Sequence, residues 1–214
     1  MWLIRSRIVF EKKSASPASA RPAVQRRGME RRRAILDAAE ALLREQGYEA
    51  ATLKAVGERA GIPVASMYHY FPDRHQVDAE LLRRHLRVIE ELVTAALEGS
   101  SLSTLREAAD AVIDPLRDYF REHPSCVELW FSGRSEALAV LVREFDAAQA
   151  DRFWRLLVER GLVSADTPRL ALQLAFEVGN RLFDVAFRQS PAGDDATIDE
   201  ARRMVIAYLK TYAA

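Results

Sequence analysis

The side chains able to do chemistry are few. Histidine stands at His69, His75, His85 and His123, and the one cysteine is Cys126. His123-Pro-Ser-Cys126 could offer two metal ligands, but one pair falls short of the set that a structural zinc site takes. His75 and Asp78 lie one turn apart, as on many surface helices. The sequence carries no Gly-rich phosphate loop, Ser-His-Asp arrangement or paired-carboxylate pattern, so neither catalysis nor a metal or other cofactor is expected. What remains is "GIPVASMYHYFPDR", residues 61–74. Its large side chains from Met67 to Phe71 cannot all face one core from a helix. Helical spacing puts Met67, Tyr70 and Phe71 on one face, expected to pack on Ile35, Ala39, Leu53 and Val56. Ala65, Ser66 and His69 lie on another side, with Val64 and Tyr68 at its edges.

The elements that must hold this stretch are helices. Only 9 Gly and 8 Pro interrupt 214 residues, and Ala, Leu, Glu and Arg fill the intervals. Ile35, Ala38, Ala39, Leu42 and Leu43 recur at helical spacing before Gly47. Thr52 is placed to cap a short helix with Leu53, Val56 and Ala60 inward, ended by Gly61. The next helix starts at Pro63 or Val64 and reaches Phe71. Longer helices are predicted over about 75–97, 102–122 with a kink at Pro115, 135–160 and 196–213, and a short one between breakers within "HPSCVELWFSG", residues 123–133. Another follows Thr167 as its cap, with Pro168 in the first turn. That helix, 168–189, is apolar round most of its circumference, so it needs cover on more than one side. No strand signal or repeat appears. The reading is all-α, with about nine helices: an N-terminal three-helix unit of helix-turn-helix form and a larger helical domain.

Charge is balanced overall but not along the chain. Residues 1–33 carry ten Lys and Arg against Glu11 and Glu30, so the start is basic and the remainder acidic. A basic end suits a polyanionic partner. Residues 1–28, with "SASPASARPA", are read as a disordered arm; a start at Met29 is one explanation of it. One cysteine excludes an intrachain disulfide and fits a reducing compartment. No apolar run is long enough to span a bilayer and no signal peptide is recognisable, so a cytoplasmic protein without a membrane partner is expected.

Residues 32–77 resemble the DNA-binding domain of tetracycline-repressor-like (TetR-type) transcriptional regulators. The match rests on Ile35-Leu36-Ala38-Ala39, Gly47-Tyr48, Thr52, Ala60-Gly61-Ile62, Tyr68, Tyr70-Phe71, Arg74 and Val77 at unbroken spacing. Three departures from the pattern stand out: Pro63-Val64 where a Ser or Thr cap followed by a polar residue is common, Gly57 at a usual Ala, and Arg74 for Lys. The resemblance implies a homodimeric repressor on a palindromic double-stranded DNA operator, released by a small-molecule effector. It implies DNA-binding residues over 29–76 and a ligand-binding and dimerisation domain over 77–214. In a helix-turn-helix the second helix enters the major groove. Val64 and Ala65 then bring only methyl contacts, while Ser66 and His69 can hydrogen-bond. Tyr68, Thr52, Arg33, Lys54 and Arg74 are the phosphate candidates, with Lys54 also within reach of a base.

For an apolar or aromatic effector the candidates are Phe120, His123, Cys126, Trp130, Phe131, Phe145 and Trp154. For the dimer they are Ala175 and Gly179, small enough for close helix approach, with Leu182, Phe183, Ala186, Val205 and Tyr208. Rival readings are an enzyme, a protein-interaction module gripping a partner through 168–189, and Cys126 as a redox sensor.

Overall fold

The computed structural model describes residues 17–99, 102–131 and 135–213. Among them are nine helices and no strand: α1 (Pro17–Gln46), α2 (Leu53–Ala60), α3 (Val64–Tyr70), α4 (Arg74–Gly99), α5 (Leu105–Glu122), α6 (Pro124–Phe131), α7 (Glu136–Glu159), α8 (Arg169–Gln189) and α9 (Asp195–Lys210). Helices α1 to α3 form a head on the first turns of α4, and α4 to α9 form the body. Helix α4 is continuous across the domain boundary expected at residue 77, so one rod belongs to both parts.

The helix ends follow local chemistry. Thr52 Oγ1 accepts from Ala55 N, and Gly61 closes α2 in the left-handed region at φ 66°. Thr104 and Glu107 form a reciprocal capping box on α5, and Asp194 caps α9 by accepting from Thr197 N. Helix α5 runs through Pro115 to Glu122.

Two ends differ from the sequence reading. Helix α1 begins at Pro17 rather than near Met29: the stretch is alanine-rich, and Pro is tolerated in a first turn. Residues 1–16 of the expected arm lie outside the described residues. Thr167 does not cap α8. Pro168 takes the N-cap position without a side-chain bond, Thr167 Oγ1 is buried without a partner, and its carbonyl accepts from Trp154 Nε1 at 2.8 Å.

Gly57 has a packing reason. A Cβ there would stand 3.0 Å from both Ile62 O and Met67 Cγ, so its absence lets α2 and the following turn close onto α3. In the body, α8 packs along α9, and α4 packs on α1, α5 and α7. Two acidic residues one turn apart on α5 are answered from α9, where Arg202 pairs with Asp110 and with Asp114, the latter at 2.7 Å.

Candidate nucleic-acid interface and buried cavity

Helix α3 divides its side chains as the spacing predicts. Met67 and Phe71 are buried in the head core with Ile35, Ala39 and Val56. Tyr70 is half-buried at the edge: its Oη accepts from Arg31 Nη1 at 3.3 Å and its carbonyl from Arg32 Nη1 at 3.0 Å. Tyr68 is 57% exposed. Ala65 and His69 are exposed beside it, and Val64 and Ser66 are half-buried. Outward-facing groups therefore lie together on one short helix, carried by a well-packed inner face.

The arginine run splits. Arg31 and Arg32 are engaged with α3, Arg32 also lying over the Phe71 ring at 4.5 Å. Arg33 projects outward, its side chain 84% exposed, with Asp37 3.9 Å away. Lys54 is equally open and 3.9 Å from Glu58. Such exposed pairs are weak, so either cation can turn to a phosphate at little cost. Thr52 is exposed, and as a cap its oxygen accepts from Ala55 N at 3.2 Å. That leaves the hydroxyl proton available to an anion.

Arg74 sits elsewhere. Its guanidinium lies 3.7 Å from the Tyr48 ring centroid and 3.5 Å from Asp78 Oδ1, with the side chain only 19% exposed. Tyr48 Oη donates to Asp78 Oδ2 at 2.8 Å. Burial pushes the Asp78 carboxyl up, against the opposing pull of Tyr48 and Arg74. This cluster pins the loop after α1 to the start of α4, which makes Arg74 a brace rather than a free phosphate-seeking cation.

The body encloses an apolar cavity of about 80 Å³. Its walls come from α4 to α9, including Ile89 and Val93 of α4, Trp130, Phe145, Phe153 and Phe176. An engineered apolar cavity of about 150 Å³ accepts benzene, so this one must widen before it holds a ring system. Three polar residues reach its lining: Asp146, Gln149 and Asn180. Trp130 Nε1 donates to Asn180 Oδ1 at 2.8 Å, and Asn180 Nδ2 donates to Asp146 Oδ2 at 2.9 Å. Burial pushes the Asp146 carboxyl up to about 7, helped by the charge of Glu177 and opposed by the Asn180 bond. A carboxyl shifted toward its protonated form, with Gln149 and Asn180 beside it, therefore faces a space otherwise lined by hydrocarbon.

Of the seven aromatic, histidine and cysteine candidates for this space, Trp130 and Phe145 line it. Phe120 is fully buried behind it, ringed by Trp130, Phe131, Phe183 and Phe187. Trp154 braces the connection into α8 and carries Arg169 over its ring at 4.3 Å. His123 and Cys126 lie where α5 meets α6 and do not line the cavity. Cys126 is wholly buried and burial pushes its thiol well up. It is an inert thiol, which removes the redox-sensor reading. The polar residues Asp146, Gln149 and Asn180 were missed. Their signal was legible: Asp146 and Gln149 interrupt the inward stripe Leu138, Val142, Phe153, Leu157 of α7.

The expected dimer set also turns inward. Ala175, Phe183 and Ala186 are buried within one chain, and Ala175, Gly179, Phe183 and Val205 line the cavity. A Cβ on Gly179 would meet Val205 of the chain's own α9 at 3.9 Å. The small residues let α8 and α9 of one chain approach. Leu182 and Tyr208 are half-buried. The large apolar residues left exposed on these two helices are Leu170, Leu174 and Val178, four apart along α8, and Met204 on α9.

A helix-turn-helix head with an open outer face, mounted on a hollow helical body, defines a DNA-binding regulator. Comparison with known proteins gives the family. Residues 35–81 match the profile of bacterial regulatory proteins of the tetR family, and residues 104–209 match the tetracyclin repressor-like C-terminal domain. The transcriptional regulator BetI of Rhizobium meliloti is 30% identical over 192 residues, covering 86% of this chain and 92% of BetI. The transcriptional repressor KstR of Mycolicibacterium smegmatis is 41% identical over 73 residues, 34% of this chain. That matched stretch spans only about a third, 36%, of KstR's own length. The crystal structure of a TetR-family transcriptional regulator from Streptomyces coelicolor is 33% identical, covers 85% of this chain and 99% of that one, and superposes with a TM-score of 0.65. The chain belongs to the TetR family of transcriptional regulators. It is a DNA-binding regulator, not an enzyme. Among the described residues no helix is long and apolar enough to cross a membrane.

Proposed function

We propose that the chain is a cytoplasmic repressor that binds a palindromic operator as a homodimer and is released by a small effector entering the body cavity. The observation that carries this reading is the continuity of α4. Val77 and Leu81 are buried near its start, and Ile89 and Val93 form cavity wall further along. Those two stretches are separated by about 18 Å at 1.5 Å rise per residue. An effector too large for the resting cavity pushes on this rod, and the rod moves the head. Ligand then favours the state whose two recognition helices are misplaced for successive major grooves.

Recognition in this reading is shared among a few groups. Val64 and Ala65 meet thymine methyls, Ser66 and His69 hydrogen-bond, and Tyr68, Thr52, Arg33 and Lys54 hold phosphates. The effector is apolar or aromatic with one polar group placed for Asp146 and Gln149. For the dimer, the outward stripe of Leu170, Leu174, Val178 and Met204 replaces the inward residues expected from spacing. Fluorescence anisotropy on DNA upstream of the neighbouring divergent gene tests the reading, with light scattering for the oligomer. Binding as a dimer that Leu174→Asp turns monomeric supports it. A tightly bound monomer, or operator affinity that no apolar ligand reduces, contradicts it.

A further inference from the structure

Three groups outside both sites converge where the head meets the body. Glu40 comes from α1, His85 from α4 and His123 from the turn after α5. One donor atom from each lies within 4.8 Å of the other two. Glu40 Oε1 stands 3.8 Å from His85 Nε2 and 3.5 Å from His123 Nδ1. Those separations are not short hydrogen bonds. They are close to the roughly 3.3 Å that a tetrahedral ion with 2.0–2.1 Å bonds imposes between its ligand atoms.

The surroundings prepare the same atoms. His85 is 1% exposed, and its Nε2 is buried without any hydrogen-bond partner, a desolvated polar atom that folding does not leave idle without reason. Its other nitrogen, Nδ1, is 2.7 Å from Tyr119 Oη. With Nδ1–H donated to that oxygen, the lone pair of Nε2 points into the cluster, the arrangement by which metal-bound histidines are oriented. Arg84 occupies Glu40 Oε2 and also meets Asp37 at 2.5 Å. Glu40 Oε1 is thereby left facing the two imidazoles.

We propose that Glu40, His85 and His123 bind one divalent transition-metal ion per chain, Zn²⁺ fitting best, which ties the head to the body. Two imidazoles and one carboxylate favour zinc or its neighbours over Mg²⁺ and Ca²⁺, which take oxygen ligands. Three protein ligands leave one position for water. Cys126 is not part of the set. The ion cross-links α1 with α4 and the α5–α6 turn, so it stiffens the joint across which α4 carries its motion.

The test uses the full chain freed of metal with a chelator, then titrated with Zn²⁺ and, for spectroscopy, with Co²⁺. The expected result is one ion per chain, the visible d–d bands of tetrahedral Co²⁺, and a melting temperature that rises with Zn²⁺. His123→Asn and Glu40→Gln are expected to weaken binding at least 100-fold and abolish the melting shift. Tyr119→Phe is expected to weaken it about 10- to 100-fold, as for an orienting partner, while His69→Ala and His75→Ala leave it unchanged. His123 is a third exposed, so its replacement leaves the fold intact, and circular dichroism checks that. Absence of stoichiometric binding, or equal affinity in folded His123→Asn or Glu40→Gln, overturns the proposal.

Discussion

The head and the body are built from the same material, yet they use it differently. In the head, two short helices and a Gly turn leave little choice: the inner face of α3 packs into one small core with Ile35, Ala39 and Val56, and the opposite side is open. In the body, α8 is apolar round most of its circumference, and more than one of its faces could meet a neighbour. In the proposed reading, the head works through exposed residues braced by a core, and the body through buried polar residues that interrupt a core.

The largest effect is expected at Phe71. Phe71→Ala removes a side chain at 1% exposure and is expected to destabilise the protein by about 3–5 kcal/mol, read by thermal or urea unfolding. A loss under about 1 kcal/mol would mean that α3 is not anchored through this face.

Asp146 gives the body's counterpart, and its effect has a sign in pH. Its folded carboxyl lies at about 7, above the ordinary 3.8. The folded state therefore binds more protons than the unfolded one between those values, and stability falls as pH rises from about 4 through 7. Asp146→Asn removes that slope. The variant is expected to gain about 2–4 kcal/mol relative to the parent at pH 8 and little at pH 4. Parallel stability curves for the two proteins would show that burial does not burden this carboxyl.

Gly57→Ala sets two small terms against each other. Alanine adds about 1 kcal/mol of helix propensity, but its Cβ would stand 3.0 Å from the Ile62 carbonyl and from Met67, and overpacking costs about 1–3 kcal/mol. A net loss of about 1 kcal/mol is expected in chemical denaturation; a stabilised variant would show that the turn relaxes. Tyr68→Phe is the smallest for stability, within about 0.5 kcal/mol at an exposed position, although it removes a phosphate contact in the proposed complex.

Legibility followed the same division. Burial of Met67 and Phe71, exposure of Tyr68 and His69, the Thr52 cap and the Gly61 turn were all readable, because helical spacing over a few residues decides them. Arg74 was not: whether a cation at a helix start turns outward or lies on Tyr48 and Asp78 depends on a loop folded back from α1. In α8 the periodicity showed that two faces needed cover, but not which one α9 takes. Ala175 and Gly179 serve a helix of their own chain for that reason. The convergence of Glu40, His85 and His123 from three distant segments leaves no local signature at all.

The proposed function turns on the division of α3 into an anchoring face and a reading face, which DNA selection can separate. Sites bound from a random duplex library by the parent, Tyr68→Phe and Ser66→Ala are sequenced, and affinities for the winning sites are measured across salt concentrations. Tyr68→Phe is expected to select the same sites with uniformly weaker binding, and Ser66→Ala to change the preferred bases. Uniform weakening by both, with the same sites selected, would contradict that division.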